Sequence, residues 1–464
     1  MRHPNIVLVV LDTARADAFE PYGATRGTTP AVRGLADAGH AAPAMHATSS
    51  WTLPSHASLF SGLLPRATGL TQAPNRTPPS CRPVLERLRP VLLPEVLRRA
   101  GYETRAASAN LWISAQSGFD IGFDEFVSIR SHRNAAMIKP GRRNAMRWAW
   151  HALRCLNDDG ATAADAAIGR FLAGARTQPF FWFVNLVECH SPYLPPTPYT
   201  PANPMVRLRA GRAARRYQHL DAVWRLNLAG LEVSDDDREL MRDQYDRSIR
   251  LLDDWLARVQ QRLDDAGRLE DTIVVVTSDH GENFGECGLW GHAFSLDQRL
   301  TRVPFIASGP GAPRLDRTAS LVEVPRLLAE AAGVERHPWG DSVLSEGVAV
   351  SQIDESADAD DPRVDLAVEL MGGGPIRLDL LTRPQTAATD GRWKLVAVGD
   401  DLRAHDLESD PDEAVALDPA AAPAALHAAV AAGAAQRSSF LVEAGDDLPV
   451  DHDLEERMRM LGYL

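Results

Sequence analysis

The chain has 464 residues, enough for one large domain with a smaller one beside it and ample material for a core. Hydrophobic residues make up 45% and charged residues 24%, ordinary values for a soluble globular protein. A net charge of −13 argues against broad binding to nucleic acid or to anionic membranes, so an anionic substrate would need a local cationic trap.

Residues 5–11 (NIVLVVL) form a continuous β-branched apolar run, which predicts a strand buried on both faces. It ends in Asp12, where α/β sheets place their ligands, although an aspartate there also suits a helix cap. Residues 29–38 are amphipathic and predict a helix. The stretch from Ser49 to Gly62 then passes hydroxyl residues and Pro54 into an apolar helical run. Proline fits the first turn of a helix, so Thr52 is expected at the helix start, where the helix dipole favours an anion. Thr52 is therefore the candidate nucleophile; the alternative is that Ser50 or Thr52 only caps the helix.

A proline-rich loop over 67–83 is followed by a predicted helix at 91–100 and a strand at 102–108. A glycine- and aromatic-rich turn covers 118–124. Basic runs at 130–154 and 207–216 read as solvated helix faces; the first could also be a rim that draws in anions. A second buried strand over 179–187 ends in Glu188-Cys189-His190. A long amphipathic helix over 240–263 precedes a third buried strand over 272–277, which ends in Ser278-Asp279-His280-Gly281-Glu282. A short strand at 303–307 and a helix at 322–332 follow. Beyond about residue 334 short strands (364–370, 376–381, 393–398), a triple glycine at 372–374 and an alanine-rich helix at 422–435 suggest a smaller α+β subdomain. The expected division is a catalytic domain over 1–340 and a C-terminal subdomain over 341–464.

Three buried strands thus end in Asp12, Glu188 and Asp279, with His190, His280 and His292 nearby. Parallel strands bring such ends to one edge, and carboxylates with imidazoles suit a divalent cation. A cation beside Thr52 would lower its hydroxyl pKa and neutralise an anionic substrate. No signal peptide or bilayer-spanning run is visible, and the four cysteines lack metal-ligand spacing, so a cytoplasmic chain is expected.

Several separated blocks, in order, resemble the sulfatase branch of the alkaline phosphatase superfamily. They are Asp12 to Asp17, Trp51 to Gly62, Gly118 to Phe126, His190 to Tyr193, Ser278 to Glu282, and Leu461-Gly462-Tyr463. The resemblance implies a three-layer α/β/α sandwich with a mostly parallel central sheet and a smaller C-terminal α+β subdomain. It implies Asp12, Thr52, Asp279 and His280 as metal ligands, with Thr52 also the nucleophile. Asn110, His56, His190 and His292 are implied as substrate contacts, His190 and His292 also serving catalysis.

The departures sharpen the chemistry. Sulfatases of this family oxidise a cysteine or serine to formylglycine, whereas this block reads Thr52-Leu53-Pro54-Ser55-His56. A threonine carries a methyl on Cβ and cannot give that aldehyde. His56 stands where the family has arginine, and Thr13 where a second aspartate is usual. Histidine at 280 shifts metal preference from Ca²⁺ toward Zn²⁺ or Mn²⁺. One ion, held by Asp12, Thr52, Asp279 and His280, is favoured over two; a second would use Glu188, His190 and His292. The expected activity is hydrolysis or transfer of a phosphoester, a diester or phosphonate ester, through a metal-bound Thr52 and a covalent phosphothreonine. The alternatives are sulfate-ester hydrolysis or sulfuryl transfer without formylglycine, and a non-catalytic binding protein of the same fold. The expected partner is a small anionic ester.

Overall fold

The computed structural model describes residues 3–26, 29–71, 81–129, 155, 158–174, 179–340, 346–355, 368–369 and 377–440. Its central sheet has seven strands in the order β2-β11-β7-β1-β6-β4-β5. These are β1 (Asn5–Leu11), β2 (His40–Ala41), β4 (Glu103–Ser108), β5 (Glu125–Ser128), β6 (Phe180–Leu186), β7 (Thr272–Thr277) and β11 (Phe305–Ser308). The run β7-β1-β6-β4-β5 is parallel throughout, while β11 runs antiparallel to β7 and to β2.

Both faces of the sheet are covered, which is why its central strands are apolar without alternation. Ile6, Leu8 and Val10 of β1 point into one core, and Val7, Val9 and Leu11 into the other. The first core is closed by Leu53, Ala57 and Phe60 of helix α1 (Thr52–Ser61), with Leu93, Leu97, Val324 and Leu328 from neighbouring helices. The second is closed by Ala164, Ile168 and Phe171 of helix α2 (Ala161–Ala173). Tyr245, Leu252, Trp255 and Val259 of helix α3 (Asp235–Asp265) complete it. This is the three-layer α/β/α sandwich with a mostly parallel sheet, built from the runs that the periodicity picked out.

A smaller antiparallel sheet lies later in the chain: β13 (Ala349–Ile353), β14 (Gln385–Thr389), β15 (Trp393–Val398) and β16 (Asp401–Asp406), in that order. Val350, Ala388 and Leu395 of this sheet pack with Leu426 and Val430 of the helix Ala424–Ala435. It grips the large sheet's loops at two places. Gln352 N donates to Thr48 O at 2.8 Å, and the buried Lys394 ammonium donates to Leu296 O and pairs with Glu413 at 3.0 Å.

Some expected elements differ. The run at 376–381 is helical where it is described, over Asp379–Thr382, because Leu381 turns back to pack on Leu228, Leu289 and Phe294. Residues 303–307 are split by Pro304 into β10 (Arg302–Val303), in a three-stranded sheet with β3 (Ala44–His46) and β12 (Thr318–Ser320), and β11. Proline has no N–H for a ladder, so it marks the change of sheet. The expected helix at 322–332 opens as a 3₁₀ turn with a Ser320–Glu323 capping box before the helix Val324–Ala331. The 207–216 basic run lies on the helix Pro204–Tyr217. The 130–154 basic run, the strand at 364–370, the triple glycine and the Leu461–Tyr463 tail lie outside the described residues, apart from 368–369, which are helical. No helix among the described residues is long and apolar enough to cross a membrane.

Candidate active site

Alternation along the strands decides which terminal carboxylates meet. In β1 the even-numbered residues face the core that α1 closes, and in β7 the odd-numbered ones do. Asp12 and Asp279 continue those two series past the strand ends and fall on the α1 side. In β6 it is Phe181 and Phe183 that face α1, so Glu188 continues the opposite series. Glu188 accepts a hydrogen bond from Ala161 N at the head of α2, on the far face of the sheet. Burial, then the charges of Asp159 and Asp158, push its carboxyl up to about 8. It therefore lies apart from Asp12 and Asp279, on the opposite face of the sheet.

Asp12, Asp279 and His280 are wholly buried, and one ligand atom from each lies within 4.8 Å of the others. Among the described residues this is the group of that kind. The Asp12 carboxylate accepts from Asn110 Nδ2, and Asp279 Oδ1 accepts from Thr13 N at 3.2 Å. Thr13 has φ 61°, uncommon for a β-branched residue, and its hydroxyl donates to Cys189 O at 2.7 Å. That turn aims the Thr13 N–H at Asp279, across the gap where the usual second aspartate is missing. His280 Nδ1 lies 2.9 Å from Gly281 O, an acceptor, so Nδ1 carries the proton and Nε2 keeps its lone pair.

Thr52 is the first residue of α1, after the extended Trp51, and Pro54 sits in the first turn. Its Oγ1 lies 3.4 Å from His280 Nε2. The approach to Thr52 is tied to the loop carrying His292, because Ala293 N donates to Ser50 O at 3.0 Å. Both the helix-start and the site positions of this stretch are thus occupied by the same hydroxyl.

The residues fit a divalent cation. Asp12 Oδ1 and Asp279 Oδ2 are buried and have no hydrogen-bond partner. Two buried carboxylates this close repel each other, and buried charges are tolerated when paired or bound to metal. Burial first, then the charge of Asp279, pushes the Asp12 carboxyl well up. Asp279 is held low: burial opposes this, but His280 and His56 outweigh it. Burial takes His280 down to about 4, so its ring is a neutral donor.

His56 is completely buried behind these groups. Its Nδ1 donates toward Thr52 O at 3.0 Å and lies 3.5 Å from Asp279 Oδ2, while Nε2 lies 3.4 Å from Asn185 Nδ2. Asn110 Oδ1 accepts from Trp112 N at 2.7 Å, fixing the amide that holds Asp12. His190 and His292 are partly exposed beside the buried cluster, with ring centroids 5.0 Å apart; the His292 ring lies tilted at 4.6 Å from that of His280. Burial, reinforced by His292, lowers His190. Burial also works against a charged His292, but the Glu282 carboxylate overrides it and raises the ring.

Glu282 enters the sequence pattern only as the last residue of the Ser278–Glu282 block. It lies two residues past His280, fully buried, and accepts from His292 Nδ1 at 2.9 Å and from Tyr193 Oη at 2.7 Å. A sequence signal for the pair existed, a glutamate after the histidine and a glycine-rich hairpin returning ten residues later, but spacing alone does not close it. Gly281 is required by contact: a Cβ there would lie 1.9 Å from Arg299 O.

The family model described as Sulfatase matches residues 4–334, well over half of the chain. The chain is 30% identical over 189 residues to a choline-sulfatase of Rhizobium meliloti, covering 39% of this chain and 34% of that one. It is 32% identical over 102 residues to the low-salt glycan biosynthesis sulfotransferase Agl7 of Haloferax volcanii, 20% of this chain and 25% of that one. The matches thus span about a third or less of these relatives' length. In structure it resembles the phosphonate monoester hydrolase of Silicibacter pomeroyi, with a TM-score of 0.62 at 19% identity over 98% of this chain and 95% of that one. The BT4656 structure with bound D-glucosamine-2-N,6-O-disulfate gives 0.62 at 16% identity over 99% and 98%. At such identities these likenesses carry the fold, and the fold, the parity-matched carboxylates and the family match agree: the chain belongs to the sulfatase family.

Proposed function

We propose that this protein is a metal-dependent hydrolase or transferase of phosphoesters, a phosphodiester or phosphonate ester, with Thr52 as the nucleophile. The observation that carries this reading is a threonine at the head of α1, 3.4 Å from His280 Nε2 and beside two unpartnered carboxylate oxygens. Its β-methyl blocks the aldehyde route and leaves an ordinary hydroxyl nucleophile. Asp12, Thr52, Asp279 and His280 would hold one divalent ion, Zn²⁺ or Mn²⁺ rather than Ca²⁺, which when bound supplies Lewis acidity and lowers the hydroxyl pKa.

The chain's own residues then do the following. Thr52 Oγ1 gives up its proton to solvent and attacks phosphorus in line, and the bond to the ester's leaving oxygen breaks. His292, whose pKa the Glu282 carboxylate raises against burial, donates a proton to that oxygen, with His190 as the second imidazole beside it. Asn110 and His56 hold Asp12, Asp279 and the Thr52 backbone in place. Water or a second alcohol, giving its proton to the His292 imidazole, then attacks phosphorus and breaks the bond to Thr52 Oγ1, which takes back a proton from solvent.

The test is a panel of aryl phosphodiester, phosphonate monoester and sulfate ester with each metal, for wild type and Thr52→Ala. Metal-dependent phosphoester turnover, lost in Thr52→Ala and accompanied by a phosphate adduct on Thr52 by mass spectrometry, is expected. Undiminished turnover by Thr52→Ala would overturn the mechanism. A second reading, sulfate-ester hydrolysis or sulfuryl transfer without formylglycine, is favoured by the sulfatase and sulfotransferase relatives. Preference for the sulfate ester would establish it. Lack of turnover with every ester and metal, with metal bound, would leave a binding protein.

A further inference from the structure

Glu282 uses both carboxylate oxygens, and the two partners differ in kind. Oε1 accepts from Nδ1 of the partly exposed His292, and Oε2 accepts from the buried Tyr193 hydroxyl. Tyr193 is itself fixed by ring contacts with Tyr245 and Phe284, at 5.6 and 5.4 Å between centroids. The His292 side is fixed by a short hairpin in which β8 (Asn283–Phe284) pairs with β9 (Trp290–Gly291), so Asn283 faces Gly291. Gly291 has φ 69°, and a Cβ there would come within 3.7 Å of Glu282 Oε1 and 3.4 Å of Val223. The hairpin thereby folds His292 back onto the carboxylate that left β7 only a few residues earlier. With Nδ1 tied down, Nε2 is the ring nitrogen left to meet a substrate.

We propose that Glu282 and Tyr193 are positioning residues that hold the His292 imidazole with Nε2 presented to the leaving oxygen of the ester. This rests on the reading of His292 as the group that assists leaving-group departure. A carboxylate anchored on its far oxygen resists rotation, and the ring it holds is oriented as metal-site histidines are by their outer partners. A merely structural Glu282 would affect all substrates alike. A positioning Glu282 matters most where the leaving oxygen needs a proton.

The test compares wild type, Glu282→Gln, Glu282→Ala, Tyr193→Phe and His292→Gln. Turnover is measured on an alkyl and a p-nitrophenyl ester of the same acid, with metal content and Tm for each protein. Glu282→Ala is expected to lose about 100-fold on the alkyl ester and under about 10-fold on the nitrophenyl ester, and Glu282→Gln, which keeps an acceptor, to recover most of the loss. Tyr193→Phe should lose roughly 5- to 10-fold, again mainly on the alkyl ester, and it decides the matter should Glu282→Ala not fold. Equal losses on both esters, in either variant, would overturn the proposal.

Proton NMR of ¹⁵N-histidine-labelled protein gives a second readout free of turnover. The His292 Nδ1–H signal, assigned by its loss in His292→Gln, should vanish in Glu282→Ala and shift in Tyr193→Phe. Its persistence unchanged in both overturns the positioning role. Should the wild type turn over neither ester, the functional reading fails while this signal still decides the positioning.

Discussion

Strands β1 and β6 lie side by side in register, are buried on both faces, and are each followed by a carboxylate. Asp12 joins Asp279 and His280 on the α1 side, whereas Glu188 sits on the other side against the N-terminus of α2. Both carboxyls are pushed up by burial, yet their surroundings differ. Each keeps one oxygen without a partner, but Asp12 shares its site with Asp279 and His280, whereas Glu188 has a helix N–H and two aspartates for neighbours. Strand-end carboxylates in one sheet are therefore not one class: the pleat assigns each to a face, and only those on one face can share an ion.

The sharpest break in this comparison is Asp279→Asn against Glu188→Gln. Asp279→Asn should lose bound metal and turnover on the order of 10³-fold, about 4 kcal/mol of transition-state stabilisation. Metal analysis and kcat/KM check it; retained metal would remove Asp279 from the site. Gly281→Ala attacks the same strand end sterically, since its Cβ would meet Arg299 O at 1.9 Å. A loss of about 1–3 kcal/mol of stability is expected, read as a lower Tm. His56→Ala should weaken metal affinity or turnover by about 10- to 100-fold, because it removes the donor behind Asp279 and the Thr52 carbonyl. Titration with metal measures the shift.

Glu188→Gln should leave metal content and turnover unchanged and alter stability with pH. The Glu188 carboxyl is raised from an ordinary 4.5 to about 8. Its contribution to stability is whole below about 4.5 and is lost as pH rises through 8. The glutamine variant keeps an acceptor for Ala161 N and cannot ionise. It should gain on the wild type above pH 8, by on the order of 3 kcal/mol near pH 9, and the gap should close toward pH 5. Parallel denaturation curves at both pH values would refute the assignment.

Much of this was readable in the residues. The three buried runs, the hydroxyl-to-proline helix start at Thr52, and the pairing of Asp279 with His280 follow from local patterns that the fold respects. The partners of His292 and His56 were not readable. Glu282 meets His292 only because a hairpin of two short strands returns at Gly291, and His56 reaches Asp279 only because α1 packs on the face of β7. The break at Pro304 and the helix Asp379–Thr382 were likewise set by neighbours rather than by local preference.

By itself, then, the sequence determined the layers, the order of the buried strands' chemistry, and the choice of threonine where an aldehyde precursor would be expected. Only the tertiary structure decided that Asp12 and Asp279 converge and Glu188 does not. The physical reason lies in the strands themselves: a run that is apolar on both faces carries no parity signal. Which alternate residue looks toward α1 becomes defined once neighbouring strands are in register and the helices have packed.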